Sequence, residues 1–283
     1  MSKVLVTGGA GFVGTNLIIE LLKSNHVIVS IDNYSIGNKE NHQSGVNYIT
    51  GDIYEIENLV KNDFDLCFHL AGLSRIQPSF EDPENTFKVN TSGTLKVISW
   101  ARENNTKVIY SGSSSKHHDP TFSPYAMFKY LGEEICKLYK ITYGMNIEIV
   151  RFYNVYGPFE IKHGKWAAVI GLWRGIVEKE GIIKIVGDGE QRRDFTHVND
   201  IVDGLIKVAF SNETHDDAWE LGSGENLSLN EVYQLFNKKY IIKKEYIKEQ
   251  KGNYRETLRE NEDALRILGW KPVMKLQDYI ESL

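Results

Sequence analysis

Cysteine is scarce: two residues, Cys67 and Cys136, in a chain of 283. Both lie in apolar segments, with no zinc-ligand spacing and no set from which a disulfide framework could be drawn. A reducing, cytoplasmic setting is expected. Long apolar runs are missing as well. None approaches the roughly 18 residues that a membrane helix requires, and Met1-Ser2 leads directly into a strand-like segment, so neither a membrane span nor a signal peptide is expected. Positive charge is not in excess. The formal net charge is −5, which disfavours nucleic acid as the main partner, because a duplex binder needs a basic face. An anionic ligand then has to be held locally, by a few arginines and by helix ends. What remains is ordinary for a globular chain, at 41% hydrophobic and 25% charged residues.

Within that ordinary composition one stretch organises the rest. Lys3-Val4-Leu5-Val6 reads as a buried strand. Thr7-Gly8-Gly9-Ala10-Gly11-Phe12-Val13-Gly14 follows it, and a helical pattern with Leu17, Ile18, Leu21 and Leu22 on one face comes next. Strand, glycine turn and helix form the context of a dinucleotide fingerprint, in which backbone N–H groups approach a pyrophosphate at the positive end of the helix. The second strand, Val27 to Ile31, ends in Asp32, 18 residues beyond Gly14. That spacing suits a carboxylate that holds ribose hydroxyls.

Strands and helices continue to alternate. Strands are predicted at 46–49, 65–71, 107–111 and 146–152, and helices at 54–62, 83–104 and 124–143, the last opened by Pro124 and stopped by Gly144. Short apolar strands separated by helices predict a parallel sheet covered on both faces. Ligands then bind beyond the carboxyl ends of the strands, where Asp32, Asp52, Gly72, Ser113 and Asn154 fall. After Gly157-Pro158 strands become sparse and glycines cluster. A boundary is expected there, with residues 1–157 as a first domain, a return segment near 195–211, and residues 158–283 as a second.

Tyr125 and Lys129 are spaced i, i+4, so phenol and ammonium share one helix face. A tyrosine ordinarily ionises near pH 10. A neighbouring ammonium favours the phenolate, the form that acts as a base.

With these motifs the chain resembles the extended short-chain dehydrogenase/reductases, in their branch of NAD-dependent nucleotide-sugar epimerases and dehydratases. The resemblance runs nearly end to end. It takes in the glycine loop, Asp32, Gly51-Asp52-Ile53, His69 to Gly72, Val89 to Thr94, Ser123 to Lys129, Arg151 to Pro158, Gly187 to Phe195 and Leu268 to Pro272. It implies a doubly wound Rossmann-type α/β fold with a smaller C-terminal substrate-binding part, a homodimer through the helices near 83–104 and 124–143, and NAD as cofactor. It implies Tyr125 as the general base and acid, Lys129 as its partner and a ribose ligand, and Ser113 as the hydroxyl that orients the sugar, with Ser114 as its rival. Gly8, Gly11 and Gly14 are implied in the pyrophosphate turn, Asp32 at the adenosine ribose, Asp52 and Ile53 at the adenine, and Asn90 in the supporting hydrogen-bond network or as a residue that only satisfies backbone. Phe12, Val13, Asn33, Leu70, Ala71, Gly72 and Tyr153 complete the implied cofactor site. For a UDP-sugar or related nucleotide-sugar, the implied contacts are Ser74, Asn154, Arg193 and Arg255, with Arg192 as the alternative register to Arg193.

The pattern departs from the family in one place. Ser111 to Pro120 runs almost directly to Tyr125, so the active-site loop is shortened, a more open cleft is expected, and His117, His118 and Asp119 read as a solvated turn. Ser114-Ser115 stand where a family dehydratase carries Asp-Glu. That favours an epimerase acting through a 4-keto sugar. A dehydratase, a keto-sugar reductase and a non-catalytic dinucleotide sensor are the alternatives.

Overall fold

A computed structural model describes residues 1–61 and 63–283. The strands in chain order are β1 (Lys3–Thr7), β2 (Val27–Asp32), β3 (Asn47–Thr50), β4 (Leu66–His69), β5 (Lys107–Ser113), β6 (Ile147–Phe152), β7 (Ile183–Val186), β8 (Arg192–Asp194), β9 (Trp219–Leu221), β10 (Asn226–Ser228) and β11 (Lys244–Ile247). The helices are α1 (Phe12–Leu22), α2 (Ile56–Leu59), α3 (Ile76–Glu81), α4 (Pro83–Phe87), α5 (Thr94–Glu103), α6 (Pro124–Tyr143), α7 (Val169–Val177), α8 (Val198–Phe210), α9 (Leu229–Tyr240), α10 (Asp263–Leu268) and α11 (Leu276–Ser282).

Seven strands form one parallel sheet in the order β3-β2-β1-β4-β5-β6-β9. Val4, Leu5 and Val6 of β1 are fully buried, as a strand covered on both faces requires. One layer packs α1 and α8 against the sheet through Leu17, Ile18, Ile201 and Leu205. The other packs α5 and α6 through Val97, Ile98, Ala101 and Cys136. Strand order reverses between β1 and β4, which opens a crevice at their carboxyl ends. The glycine turn after β1 and Leu70-Ala71-Gly72 after β4 both face it.

The structure differs from the sequence reading in three respects. The helix expected over 83–104 is two helices joined by a π-helical turn, Lys88–Gly93. The helix expected over 54–62 is a tight turn, Ile53–Glu55, running into α2, and its expected end at position 62 lies outside the described residues. The return to the first domain is larger than 195–211. β9 extends the sheet beside β6, and Trp219, Leu221, Ala264 and Trp270 join α8 in the first core. Segments outside these returns, with Trp173, Ile183, Ile185, Val232, Phe236 and Ile280, build a separate apolar cluster.

Candidate active site

A cleft of about 780 Å³ runs along the carboxyl ends of the strands, between the sheet and the second half of the chain. Its cofactor end is built from close backbone approach. Gly8 adopts φ +74°, and a Cβ added there would lie 2.8 Å from Ala71 N. A Cβ on Gly14 would lie 2.3 Å from the Gly8 carbonyl oxygen. Only glycine allows the turn, the first turn of α1 and the β4 loop to come this near. Gly11 caps α1 without a side-chain hydrogen bond, and no acid sits in the first turn. The N-terminal N–H groups of Phe12, Val13 and Gly14 therefore front the cleft as a cradle for an anion. Asp32, 8% exposed, accepts hydrogen bonds from Ala10 N (3.0 Å) and Tyr34 N (2.8 Å). Burial pushes its carboxyl above the usual range, and those two N–H groups oppose the rise. Asn33, Asp52, Ile53, Leu70, Ala71 and Gly72 line the same end, with Asn33 Nδ2 donating to Asp52 at 3.1 Å. A glycine cradle for a pyrophosphate beside a carboxylate for a ribose fits NAD.

The reacting end centres on α6. Ser123 caps it by accepting from Ala126 N, Pro124 occupies its first turn, and Gly144 ends it at φ +63°. That register turns Tyr125 and Lys129, one helical turn apart, into the cleft. The Tyr125 hydroxyl donates to Ser113 Oγ at 3.1 Å, and the Ser115 hydroxyl donates to the same oxygen at 2.9 Å. Of the two rival serines, Ser113 is thus the one joined to Tyr125.

The electrostatics correct one expectation. Burial raises the Tyr125 pKa, and what opposes the rise is the Ser113 hydroxyl and the charge of Arg75, not Lys129. The Lys129 ammonium instead donates to the Ser111 carbonyl and lies 4.5 Å from the centre of the Tyr110 ring. Burial lowers it to about 8, against the pull of Glu133.

The proposed nucleotide-sugar residues divide. Ser74, Asn154 and Arg193 line the cleft. Asn154 Nδ2 is held by the Asp194 carbonyl and Thr257 Oγ1. Arg193 makes no carboxylate pair among the described residues, and burial lowers it to about 10. Arg192 is structural, bound to Asn226 and Glu231. Arg255 is not brought to the cleft: its side chain is 66% exposed and pairs with Asp188 at 2.9 Å. Tyr153 is also misplaced by the sequence reading. Its neighbours Phe152 and Asn154 face the cleft, while Tyr153 points away and donates to Glu220 at 2.7 Å. Asn90, 2% exposed, spends its amide on the N–H and carbonyl of Leu73, so it braces the cleft wall from behind.

The shortened loop is packed rather than open. His117 bonds Glu220 and, through its other ring nitrogen, Glu260 at 3.0 Å. His118 stacks on Tyr254 with ring centroids 3.9 Å apart. Only Asp119 is solvated as expected, capping the turn at Thr121. Arg75, Glu160, Trp166 and Tyr254 also line the cleft and were not anticipated. Arg75 lies three residues past the recognisable His69-Leu70-Ala71-Gly72, near enough to have been considered.

Residues 4–222 match the profile described as the NAD dependent epimerase/dehydratase family. A UDP-glucose 4-epimerase of Mycolicibacterium smegmatis is 29% identical over 302 residues, covering 98% of this chain and 96% of that protein. A UDP-N-acetyl-alpha-D-glucosaminuronate decarboxylase of Bacillus cytotoxicus is 31% identical over 259 residues, covering 82% of this chain and 78% of that protein. The solved UDP-glucuronic acid 4-epimerase of Bacillus cereus, in complex with UDP-glucuronic acid and NAD, superposes with a TM-score of 0.88. It is 25% identical, and the match covers 99% of this chain and 96% of that one.

Proposed function

Because the chain belongs to the NAD dependent epimerase/dehydratase family, we propose that it inverts C4 of a UDP-activated hexose ring. The observation that carries this reading is the Tyr125–Ser113 hydrogen bond of 3.1 Å, set in the same cleft as the glycine cradle. In this proposal the first half of the chain holds NAD and the second half the nucleotide-sugar, in a cytoplasmic homodimer.

Gly8, Gly11 and the first turn of α1 would hold the pyrophosphate, Asp32 the adenosine ribose, and Lys129 the nicotinamide ribose. When bound, NAD supplies a reversible hydride acceptor. Against the burial that raises Tyr125, the Ser113 hydrogen bond, the Arg75 charge and the positive charge that bound NAD would bring favour its phenolate, which takes the proton of the C4 hydroxyl and later returns it. Ser113 orients that hydroxyl, and Ser115 keeps Ser113 in place. Arg193 holds the diphosphate, and Asn154 joins it by exchanging its Nδ2 bond to Thr257 Oγ1 for a phosphate oxygen, so remote binding retains the 4-keto sugar while its ring turns over. Arginine suits the diphosphate because its planar fork meets phosphate oxygens two at a time. Ser114 and Ser115 offer no acid pair for elimination across the ring, which supports epimerisation over dehydration.

Incubation with UDP-glucose or UDP-glucuronate, followed by NMR, tests the proposal. C4 epimers should form with no added cofactor. A 4-keto-6-deoxy product, or turnover only with added NADH or NADPH, would overturn it in favour of a dehydratase or a reductase.

A further inference from the structure

We infer that Arg75 recognises an acidic group on the sugar, so that the substrate is a nucleotide-activated sugar acid rather than a neutral hexose. This rests on the nucleotide-sugar reading above and names the class of sugar.

Arg75 stands at the start of α3 with extended backbone, φ −134° and ψ 140°. It is half-buried in the cleft wall with Ser74, Tyr125 and Trp166. Two neutral carbonyls hold its guanidinium: Nε donates to Trp166 O at 2.9 Å and Nη1 to Ser74 O at 3.0 Å. A guanidinium carries five N–H donors, so both hydrogens on Nη2 remain free of those two bonds. Among the described residues no carboxylate lies within 4.0 Å of it; every ion pair of that length joins other side chains. Tyr125 and Glu160 are the ionisable acids near enough to act on Arg75, but the Tyr125 hydroxyl is committed to Ser113 and Glu160 is paired with Arg174 at 2.9 Å.

A cation taken partly out of water and given only neutral partners is poorly compensated. An arriving carboxylate would supply the missing charge, and the planar fork would receive it through two parallel hydrogen bonds. The position separates this role from phosphate binding. Arg75 begins α3, and Ser79 of that helix holds the start of α6 by accepting from Tyr125 N at 3.0 Å, whereas Arg193 stands on β8 in the second half of the chain. The anion that Arg75 meets is therefore on the reacting sugar, and a carboxylate at its C5 is the group of that chemistry.

The test is calorimetric binding of UDP-glucuronate and UDP-glucose to the protein as purified, in the Tyr125→Phe background so that no turnover intrudes. UDP-glucuronate should bind at least about tenfold tighter, and Arg75→Gln should erase the difference while leaving UDP-glucose within about twofold. Arg75→Lys, which keeps the charge but not the fork, should retain part of the preference. Equal or tighter binding of UDP-glucose, a preference that survives Arg75→Gln, or equal weakening of both ligands would each overturn the inference. Comparison of the two ligands on the Arg75-containing chain decides the matter even if Arg75→Gln fails to fold. Binding of neither ligand would remove the nucleotide-sugar reading and this inference with it. A preserved preference without any C4 epimer from the unsubstituted enzyme would sink only the epimerase assignment.

Discussion

Tyr125 and Ser113 are 12 residues apart in the chain and meet through a hydrogen bond of 3.1 Å. The loop between them is short, yet it closes on itself through two tight turns, Ser114–His117 and Pro120–Phe122, and carries the serine from the end of β5 to the first turn of α6. Proton transfer by a positioned side chain contributes on the order of 10²–10⁴-fold in rate. Tyr125→Phe should therefore lower epimer formation by about 10³-fold, with NAD content unchanged, and Ser113→Ala by about 10²-fold. NMR rates on both variants check this. A near-normal rate in Tyr125→Phe would end the assignment of Tyr125 as the base.

The cofactor end makes a separate prediction. Gly14→Ala places a methyl where only 2.3 Å separates it from the Gly8 oxygen, so the turn must open. Asp32→Ala removes the carboxylate proposed to hold the ribose. Both variants should be purified with little NAD, measured by its release on acid denaturation, and addition of NAD should raise their melting temperature less than that of the unsubstituted chain. Full NAD occupancy in both would refute the placement.

Behind the serines lies a buried ionic cluster. Arg151, 1% exposed, bonds Glu133 at 2.9 Å and Asp217 at 2.7 Å, and Glu133 also accepts from Ser113 N at 3.1 Å. Removing one partner of such a cluster leaves an uncompensated buried charge, at a cost of about 3–5 kcal/mol. Glu133→Ala should lose that much stability in urea unfolding and should also lower turnover, because Ser113 loses its backbone anchor. A loss below about 1 kcal/mol would show that the cluster relaxes.

His117 gives the pH dependence. Burial alone would lower its pKa, but Glu220 and Glu260 outweigh burial and raise it above its ordinary 6.5, against the charge of Arg151. Its folded value is thus the higher one. The stabilisation is complete below about pH 6.5 and is lost as pH rises through the raised folded value. Glu220 works in the opposite direction. Despite burial, its partners, His117 first among them, lower it to about 2, so its contribution is present above its ordinary 4.5 and fades as pH falls toward 2. Thermal melts from pH 6 to 9 should show a decline in the unsubstituted chain that is much flatter in His117→Gln. Equal slopes would rule out the histidine as the cause.

Much of the first half was legible because its signals are local. The period of β1, the glycine turn and the Tyr125/Lys129 spacing each depend on residues within one or two turns of one another. The second half was not, because its strands are three or four residues long and its packing is long-range. Nothing in Trp219-Glu220-Leu221 announces a seventh strand; it becomes one only where β6 offers an edge. The π-helical turn escaped notice for a related reason, since Asn90 braces Leu73 across 17 residues while the apolar spacing around it still reads as continuous helix. Tyr153 and Arg255 were assigned by position in a motif, and their partners, Glu220 and Asp188, are distant in the chain.

The returning strand also bears on how the molecule can be divided. A fragment ending at residue 157 would keep the glycine turn and Tyr125 but would strip one edge of the sheet bare and take away α8, which packs beside α1. Protease nicking near that point should leave the two pieces associated, because the chain is laced through itself rather than strung as two beads.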